Sequence, residues 1–324
     1  MLSSAPDITR DHTIETWFGI GGRADRFATP QTLDHLRACI EVDPNLRVLG
    51  EGANLLVDDA GVANLVVSLN AGEFKAIEFD EREQTMLVGA GVDLRTLIPK
   101  VVRLGWAGLE GLGGIPASIG GAIVMNAGGT HGQISDRLIR VHALDRDART
   151  VTLERGEIDF SYRHSGLNHL LITGAEFRFG EGDASELRET LRRIMEAKGA
   201  SQPLGARSAG CCFKNPITPH DMPPLPPALP DGARSGTRVP AGLLIDHAGC
   251  KGLSRGLCEV SRQHANFIVT PKPSPGKTAT ARDAARLMLD IRARIHDCFG
   301  ITLEPEVVIW TRHDIGLDAI ANDL

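Results

Sequence analysis

The sequence predicts an α+β protein. Short apolar runs of strand length, many ending in glycine turns, fill much of the first 180 residues. Three longer segments, 93–104, 185–198 and 278–298, repeat their apolar residues at the 3.6-residue helical period. Between the first two lies the stretch 109–129, with glycines at 111, 113, 114, 120, 121, 128 and 129, a single Pro116 and little charge. Glycine lets a backbone reach positive φ and approach a ligand closely. Successive exposed N–H groups in such turns make concave anion sites. A phosphate-bearing cofactor against bare backbone is therefore the reading of this stretch.

Taken in order, residues 1–15 are polar, as loose chain ends are. Thr16 to Ala24 pairs two aromatics, Trp17 and Phe18, with a glycine turn. Phe27–Thr29 reads as a strand, Thr32–Ile40 as a helix and Leu46–Leu49 as a buried strand running into a second glycine turn, 50–57. That turn lacks the full G-x-G-x-x-G spacing and an acidic residue at ribose distance, which disfavours a nicotinamide-type Rossmann site. Leu65–Leu69 and Thr85–Ala90 are further strands, and Asp93–Leu104 is a helix with Leu94, Leu97, Ile98, Val101 and Val102 on one face.

Leu138–Asp145 and Arg149–Leu153 form a hairpin across Asp147-Ala148, followed by Phe160 to Ser165 with the only tyrosine, Tyr162. Leu171–Thr173 and Ala175–Phe179 are strands, and Ser185–Lys198 is an amphipathic helix. Gln202-Pro203 marks a boundary. Residues 217–240 hold seven of the 18 prolines and read as a surface loop. Ala241–Ala248 is helical, Gly249–Gly256 a loop, and the stretch His264–Thr270 ends in a strand. Pro275 to Thr278 imitates a phosphate-loop ending, but Pro271 stands where its first glycine belongs, so a P-loop is rejected. The last helix ends at Gly300, and Leu303–Trp310 is the last strand.

The bulk properties bound the function. A chain of 324 residues, 42% hydrophobic and 23% charged, has room for two or three domains. No apolar run has membrane-spanning length, and the N-terminus has no secretory signal pattern. The cysteines at 39, 211, 212, 250, 258 and 298 form no C-x-x-C pair, so no metal site is expected and a reducing cytoplasm is the default compartment. A net charge of −6 disfavours nucleic acid as a partner.

Seven pieces, in order, resemble the UDP-N-acetylenolpyruvoylglucosamine reductase family. They are the Trp17–Ala24 turn, Gly50–Leu56, Gly114–Ala122 with Met125-Asn126-Ala127, Ser161-Tyr162-Arg163, Gly210–Pro216, His264–Ile268 and Glu304–Val307. The resemblance spans about Thr16 to Trp310. It implies an FAD-binding fold of the vanillyl-alcohol oxidase type in two subdomains, 1–80 and 81–200. A C-terminal α+β substrate domain, 201–324, would carry the proline-rich insert and return its last strand to the active site. It further implies NADPH-dependent reduction of an enolpyruvyl sugar nucleotide through FAD, in the cytoplasm; the oligomeric state is left open, with a monomer favoured.

The same resemblance assigns FAD to Gly50, Gly52, Ala53, Asn54, Leu55, Gly114, Ile115, Pro116, Ser118, Gly120, Gly121 and Asn126. Arg163 and Glu306, the latter protonated, would polarise the substrate carboxyl region. A planar guanidinium suits a carboxylate, and a developing enolate needs partners placed before reaction. Glu304, on the other strand face, is expected to be exposed or in an ion pair. Substrate contacts fall to Tyr162, Lys214, Asn215 and His264, with Arg207, Lys251 and Arg255 as candidate cations for the diphosphate.

Position 211 departs from the family, which has a serine there as the acid that protonates the substrate carbanion. A free thiol titrates near 8.5, so Cys211 is mostly protonated at neutral pH and can donate; Cys212 is expected in the core. Only 47 residues separate Arg163 from Cys211, which matches the shorter of two family forms, the one without a tyrosine loop over the substrate. Two alternatives stay open: a flavin oxidase on the same scaffold, with His131 as a covalent tether, and an inactive flavin- or nucleotide-binding relative.

Overall fold

The structure is a computed structural model that describes residues 7–218, 236–272, 274–312 and 316–322. Most of the proline-rich insert lies outside the described residues. The chain divides into two compact units. The first comprises residues 1–12, 24–51 and 63–200, and the second 13–23, 52–62 and 201–324.

The first unit holds two larger sheets and two short two-stranded ones, Gly128–Gly129 with Gly132–Gln133 and Trp106–Ala107 with Gly180–Glu181. One larger sheet has the order Ile8–Thr13, Arg23–Ala28, Val62–Ser68, Arg47–Leu49, its last two strands parallel. A few end residues of these strands belong to the second unit. The other larger sheet is antiparallel throughout, in the order Thr150–Glu154, Leu138–Leu144, Leu171–Arg178, Thr85–Gly89, Ile77–Asp80. Helices α1 (Leu33–Val42), α2 (Leu94–Arg103), α3 (Ile119–Val124) and α4 (Ala184–Ser201) complete it. Each of the first three starts on a side-chain cap: Thr32, Asp93 and Ser118 accept from the N–H groups of His35, Arg95 and Gly121. One apolar core runs from Ala28 to Leu187 and includes Phe74, Leu97, Ile123 and Phe177, each at most 1% exposed.

The second unit packs its own core around α5 (Ala241–His247) and α6 (Ala281–Phe299), with α7 (Gly316–Asn322) after them. In α6, Ala284, Leu287, Met288, Ile291 and Ile295 are buried, the stripe read from the sequence. Thr280 caps it, the Asp59 carboxylate takes the N–H groups of Ala281 and Arg282, and Gly300 closes it at φ 66°. Strand Val308–Trp310 runs parallel to Leu55–Val57 in register Val308↔Leu55.

Several sequence expectations need correction. The stretch 109–129 is not all loop, because α3 lies inside it. The strand over 171–179 is one element, since Gly174 pairs with Gly89 instead of breaking the ladder. The stretch His264–Thr270 ends in the strand Ile268–Val269, as expected, after a turn in which Phe267 N–H donates back to His264 O. Strand Leu303–Trp310 shrinks to Val308–Trp310, with Pro305 leaving only an isolated bridge to Phe213. The loop Gly249–Gly256 contributes a strand, Ser254–Arg255.

Asp43 joins the pieces of the first unit. Just past α1, its carboxylate accepts from Arg26 Nη2 at 2.6 Å, Leu65 N at 2.8 Å and Asn45 N at 3.0 Å. Asp43→Ala leaves these donors without a charged acceptor. It is expected to cost about 2–3 kcal/mol in chemical denaturation, with Asp43→Asn recovering part of the loss.

Candidate active site

In the first unit, Ser118 sits where two of the predicted motifs meet. Its Oγ accepts from Gly121 N at 3.2 Å. A Cβ on Gly50 would come within 2.7 Å of the same oxygen. The neighbouring donors are engaged: Ile119 N–H bonds Val92 O at 2.9 Å and Gly120 N–H bonds Ala90 O at 2.8 Å. The N-terminus of α3 is therefore not an open set of N–H groups, and Gly120 and Gly121 offer only close approach of their Cα atoms. Among the described residues, no acceptor faces the N–H groups of Gly114, Ala117 or Ser118. Gly114 takes φ 76°, and Ile115 and Pro116 are half-buried between these donors.

Asn126 follows α3 with φ 42° and is 2% exposed. Its Nδ2 donates to Gln133 Oε1 at 3.0 Å and Ser161 O at 2.9 Å. Its Oδ1 is buried without a partner among the described residues. A buried acceptor left in this state is costly and calls for a donor from a bound molecule.

Ser161 to His164 form a tight turn closed by two backbone bonds, at 3.0 and 3.2 Å. Its third residue is Arg163, at φ 55°. That is the turn position where glycine or asparagine is usual. An arginine held there stores backbone strain, a feature that clusters at functional sites. Arg163 Nη1 donates to Gly128 O at 2.8 Å, and the guanidinium carbon lies 5.3 Å from the centre of the half-buried Tyr162 ring.

Lys198 was not among the predicted site residues. Its Nζ donates to Gly113 O at 2.5 Å. Burial, then the charge of Arg163, holds its ammonium below the ordinary lysine value. The signal was readable: Lys198 continues the stripe Leu187, Leu191, Ile194 on α4, an apolar face where a lysine needs a reason.

In the second unit, Gly52 takes φ 62°. Among the described residues, no acceptor faces the consecutive N–H groups of Gly52, Ala53 and Asn54. Such a run is an anion cradle. A Cβ on Gly52 would come within 2.3 Å of Glu15 O, so only glycine fits. Buried Leu55 anchors the cradle in the parallel pair with Val308, and Asn54 Nδ2 donates to Glu306 O at 3.0 Å.

Glu306 is tied in turn to the thiol segment: its N–H donates to Cys212 O at 2.8 Å. On the other side, the amide of Asn266 exchanges both its bonds with the Phe213 backbone, at 3.0 and 2.8 Å, and Asn266 O accepts from Cys212 N at 2.8 Å. Cys211 is half-buried. Cys212 is core, as expected, and burial pushes its thiol up to about 12.

Lys214 reaches Glu304 Oε2 at 3.5 Å, the ion pair expected of an exposed Glu304. Asn215 Oδ1 is spent on Ala241 N at 2.9 Å, at the start of α5. His264 Nδ1 accepts from Asn266 N at 3.3 Å, which leaves Nε2 to carry the proton. Burial is the main influence holding its imidazole below 6.5, and the charge of Lys251 pushes the same way. Of the other candidate cations, Lys251 and Arg255 pair with Asp246 and Asp290, whereas Arg207 lies against Gly19.

In the first unit the open donors of Gly114, Ala117 and Ser118 and the orphaned Asn126 Oδ1, and in the second the cradle Gly52–Asn54, are groups that fit a flavin nucleotide. Residues 24–154 match the family model for an FAD binding domain, and residues 202–310 match that for the C-terminal domain of UDP-N-acetylenolpyruvoylglucosamine reductase. A reductase of that name from Desulfosudis oleivorans is 35% identical over 309 residues, 91% of each chain. The chain belongs to the UDP-N-acetylenolpyruvoylglucosamine reductase family. A second member, from Methylorubrum extorquens, is 32% identical over 98% of this chain and 96% of its own. The crystal structure of the reductase from Thermus caldophilus superposes with a TM-score of 0.74 at 32% identity, over 94% of this chain and all of that one. This reductase therefore has the FAD-binding α+β fold that the resemblance implied.

Two outcomes follow from the geometry. Arg163→Gly and Arg163→Ala remove the same guanidinium, but only alanine keeps the left-handed strain. The glycine variant is expected to be the more stable by about 1 kcal/mol in urea unfolding. For His264, the unfolded chain binds the proton more readily than the folded one. Its contribution to stability is therefore complete above pH 6.5 and is lost as the pH falls through the folded value. The difference in urea midpoint between wild type and His264→Gln should shrink from pH 7.5 to pH 5.

Proposed function

We propose that the chain reduces UDP-N-acetylglucosamine enolpyruvate to UDP-N-acetylmuramate, a peptidoglycan precursor, with NADPH as reductant. FAD, when bound, supplies the hydride carrier between NADPH and the enolpyruvyl carbon. Residues 1–80 and 81–200 are read as the two lobes that hold it, and residues 201–324 as the substrate domain. The work is placed in the cytoplasm and in a monomer.

The chain's own residues supply the rest. The Gly52–Asn54 cradle and the donors of Gly114, Ala117 and Ser118 suit phosphate and carbonyl oxygens. Asn126 Oδ1 accepts from a donor on the cofactor. Arg163 meets the substrate carboxylate as a fork, and Lys198 adds positive potential on the same side of the chemistry. Glu306 polarises the carboxyl region as negative charge develops there. Cys211 holds the proton that ends on the carbon next to the carboxylate. Tyr162, Lys214, Asn215 and His264 remain the candidates for the sugar nucleotide; His264 would act as a neutral donor through Nε2.

The observation that carries this reading is the pair of linked hydrogen bonds in the second unit. Asn54 donates to Glu306 O, and Glu306 N–H donates to Cys212 O. They fix the cradle, the carboxylate residue and the thiol segment in one frame, the preorganisation that a proton-donating site requires.

The test is single-turnover kinetics on the purified yellow holoenzyme. Cys211→Ser should keep both steps. Cys211→Ala should still let NADPH bleach the flavin absorbance while reoxidation by the enolpyruvyl substrate slows by about 100-fold or more. A fully active alanine variant would remove Cys211 from the mechanism. A colourless protein that refuses FAD would overturn the whole reading.

A further inference from the structure

The turn that carries Arg163 is fastened to the chain leaving α3 at three points. Ser165 Oγ donates to Val124 O at 2.8 Å. Asn126 Nδ2 donates to Ser161 O at 2.9 Å. Arg163 Nη1 donates to Gly128 O at 2.8 Å. Acceptor, donor and acceptor alternate along 124–128, and the turn answers with one acceptor, Ser161 O, and two donors, Arg163 and Ser165, so the five residues 161–165 lie stitched to 124–128. Ser165 is 2% exposed and has one hydroxyl proton, which it gives to Val124; the lone pair left over accepts from Leu167 N at 3.3 Å.

A turn with an arginine at φ 55° would relax to an unstrained backbone if released, because a left-handed non-glycine residue costs about 1–2 kcal/mol. One buried hydrogen bond is of that size. Two such bonds, one on each side of Arg163, are enough to hold it there.

We infer that Ser165 is a positioning residue for the reductive step: together with Asn126 it locks the Arg163 turn in its left-handed conformation and so sets the direction of the guanidinium. This rests on the reading that Arg163 meets the substrate carboxylate. Ser165 itself touches no reacting atom. Loss of its hydroxyl leaves the guanidinium in place as a charge but free to swing, and a displacement of about 1 Å can cost a factor of 100.

The experiment uses the FAD-loaded enzyme and four variants, Ser165→Ala, Ser165→Thr, Arg163→Ala and the double variant Ser165→Ala/Arg163→Ala. Three quantities are read: the rate of flavin bleaching by NADPH, the rate of reoxidation by the enolpyruvyl substrate, and the calorimetric Kd of that substrate for the untreated yellow enzyme. Ser165→Ala should leave bleaching unchanged, slow reoxidation by about 10–100-fold and weaken substrate binding. Ser165→Thr, which keeps the hydroxyl, should recover most of the loss. In the Arg163→Ala background, removing the hydroxyl should do nothing more, since two groups acting through one another are not additive.

If Ser165→Ala slows bleaching and reoxidation together, or costs its full factor again in the Arg163→Ala background, the positioning role is wrong. If Arg163→Ala itself leaves reoxidation and substrate Kd unchanged, the reading of Arg163 fails first, and the two failures are distinct. Should Ser165→Ala not fold, Ser165→Cys carries the same cycle. It fills the same space but offers Val124 O only a weak S–H donor.

Discussion

One buried amide organises the second unit. Asn266 is 2% exposed, and its side chain bonds to backbone: its amide oxygen and nitrogen lock the two sides of Phe213, and its backbone carbonyl takes the N–H of Cys212. An amide that spends its donor and acceptor on the two sides of one residue fixes that residue in rotation as well as in distance. From Phe213 the constraint passes to Cys212 and, through its carbonyl, to Glu306. The segment around Cys211 belongs to no regular strand, so this amide does for it what a ladder does for a sheet.

Strain and charge are concentrated in one part of the first unit. Arg163 sits in the left-handed region, Lys198 is held close enough to feel its charge, and Asn126 keeps a buried oxygen without a partner among the described residues. Each of these costs the folded chain stability. Together they describe a surface prepared for an anion on one side and a hydrogen-bond donor on the other. Natural sequences break local rules mainly where function requires it.

Much of this was legible in the residues. The period of α2, α4 and α6 and the caps at Thr32, Asp93 and Gly300 follow from rules of side-chain shape and backbone donors, and the structure holds them within a few residues. The short elements were not legible. Leu55–Val57 reads as part of a glycine turn because its partner, Val308–Trp310, stands at the far end of the chain. Helix α3 was hidden by its glycines, which argue against a helix locally; it forms because Ala90 and Val92 accept its first N–H groups. The roles of Asn266 and Asn215 could not be read either, since nothing local tells whether an amide faces a ligand or a backbone. Lys198 could have been found, by asking why a cation continues an apolar stripe.

The second unit is threaded from three separated stretches, and its tie between Asn54 and Glu306 joins positions 252 apart. Residues 13–23 and 52–62 emerge from the ribosome well before their partners in residues 201–310. The first unit can complete its sheets before those partners are made; the second cannot close until Trp310 has been added. Through that interval the apolar side chains of Phe18, Ile20 and Leu56 have no core to enter. The anion cradle at Gly52–Asn54 therefore takes shape only after Val308–Trp310 is made, and a truncated product lacking that strand would carry the glycine loop without the anchor that shapes it.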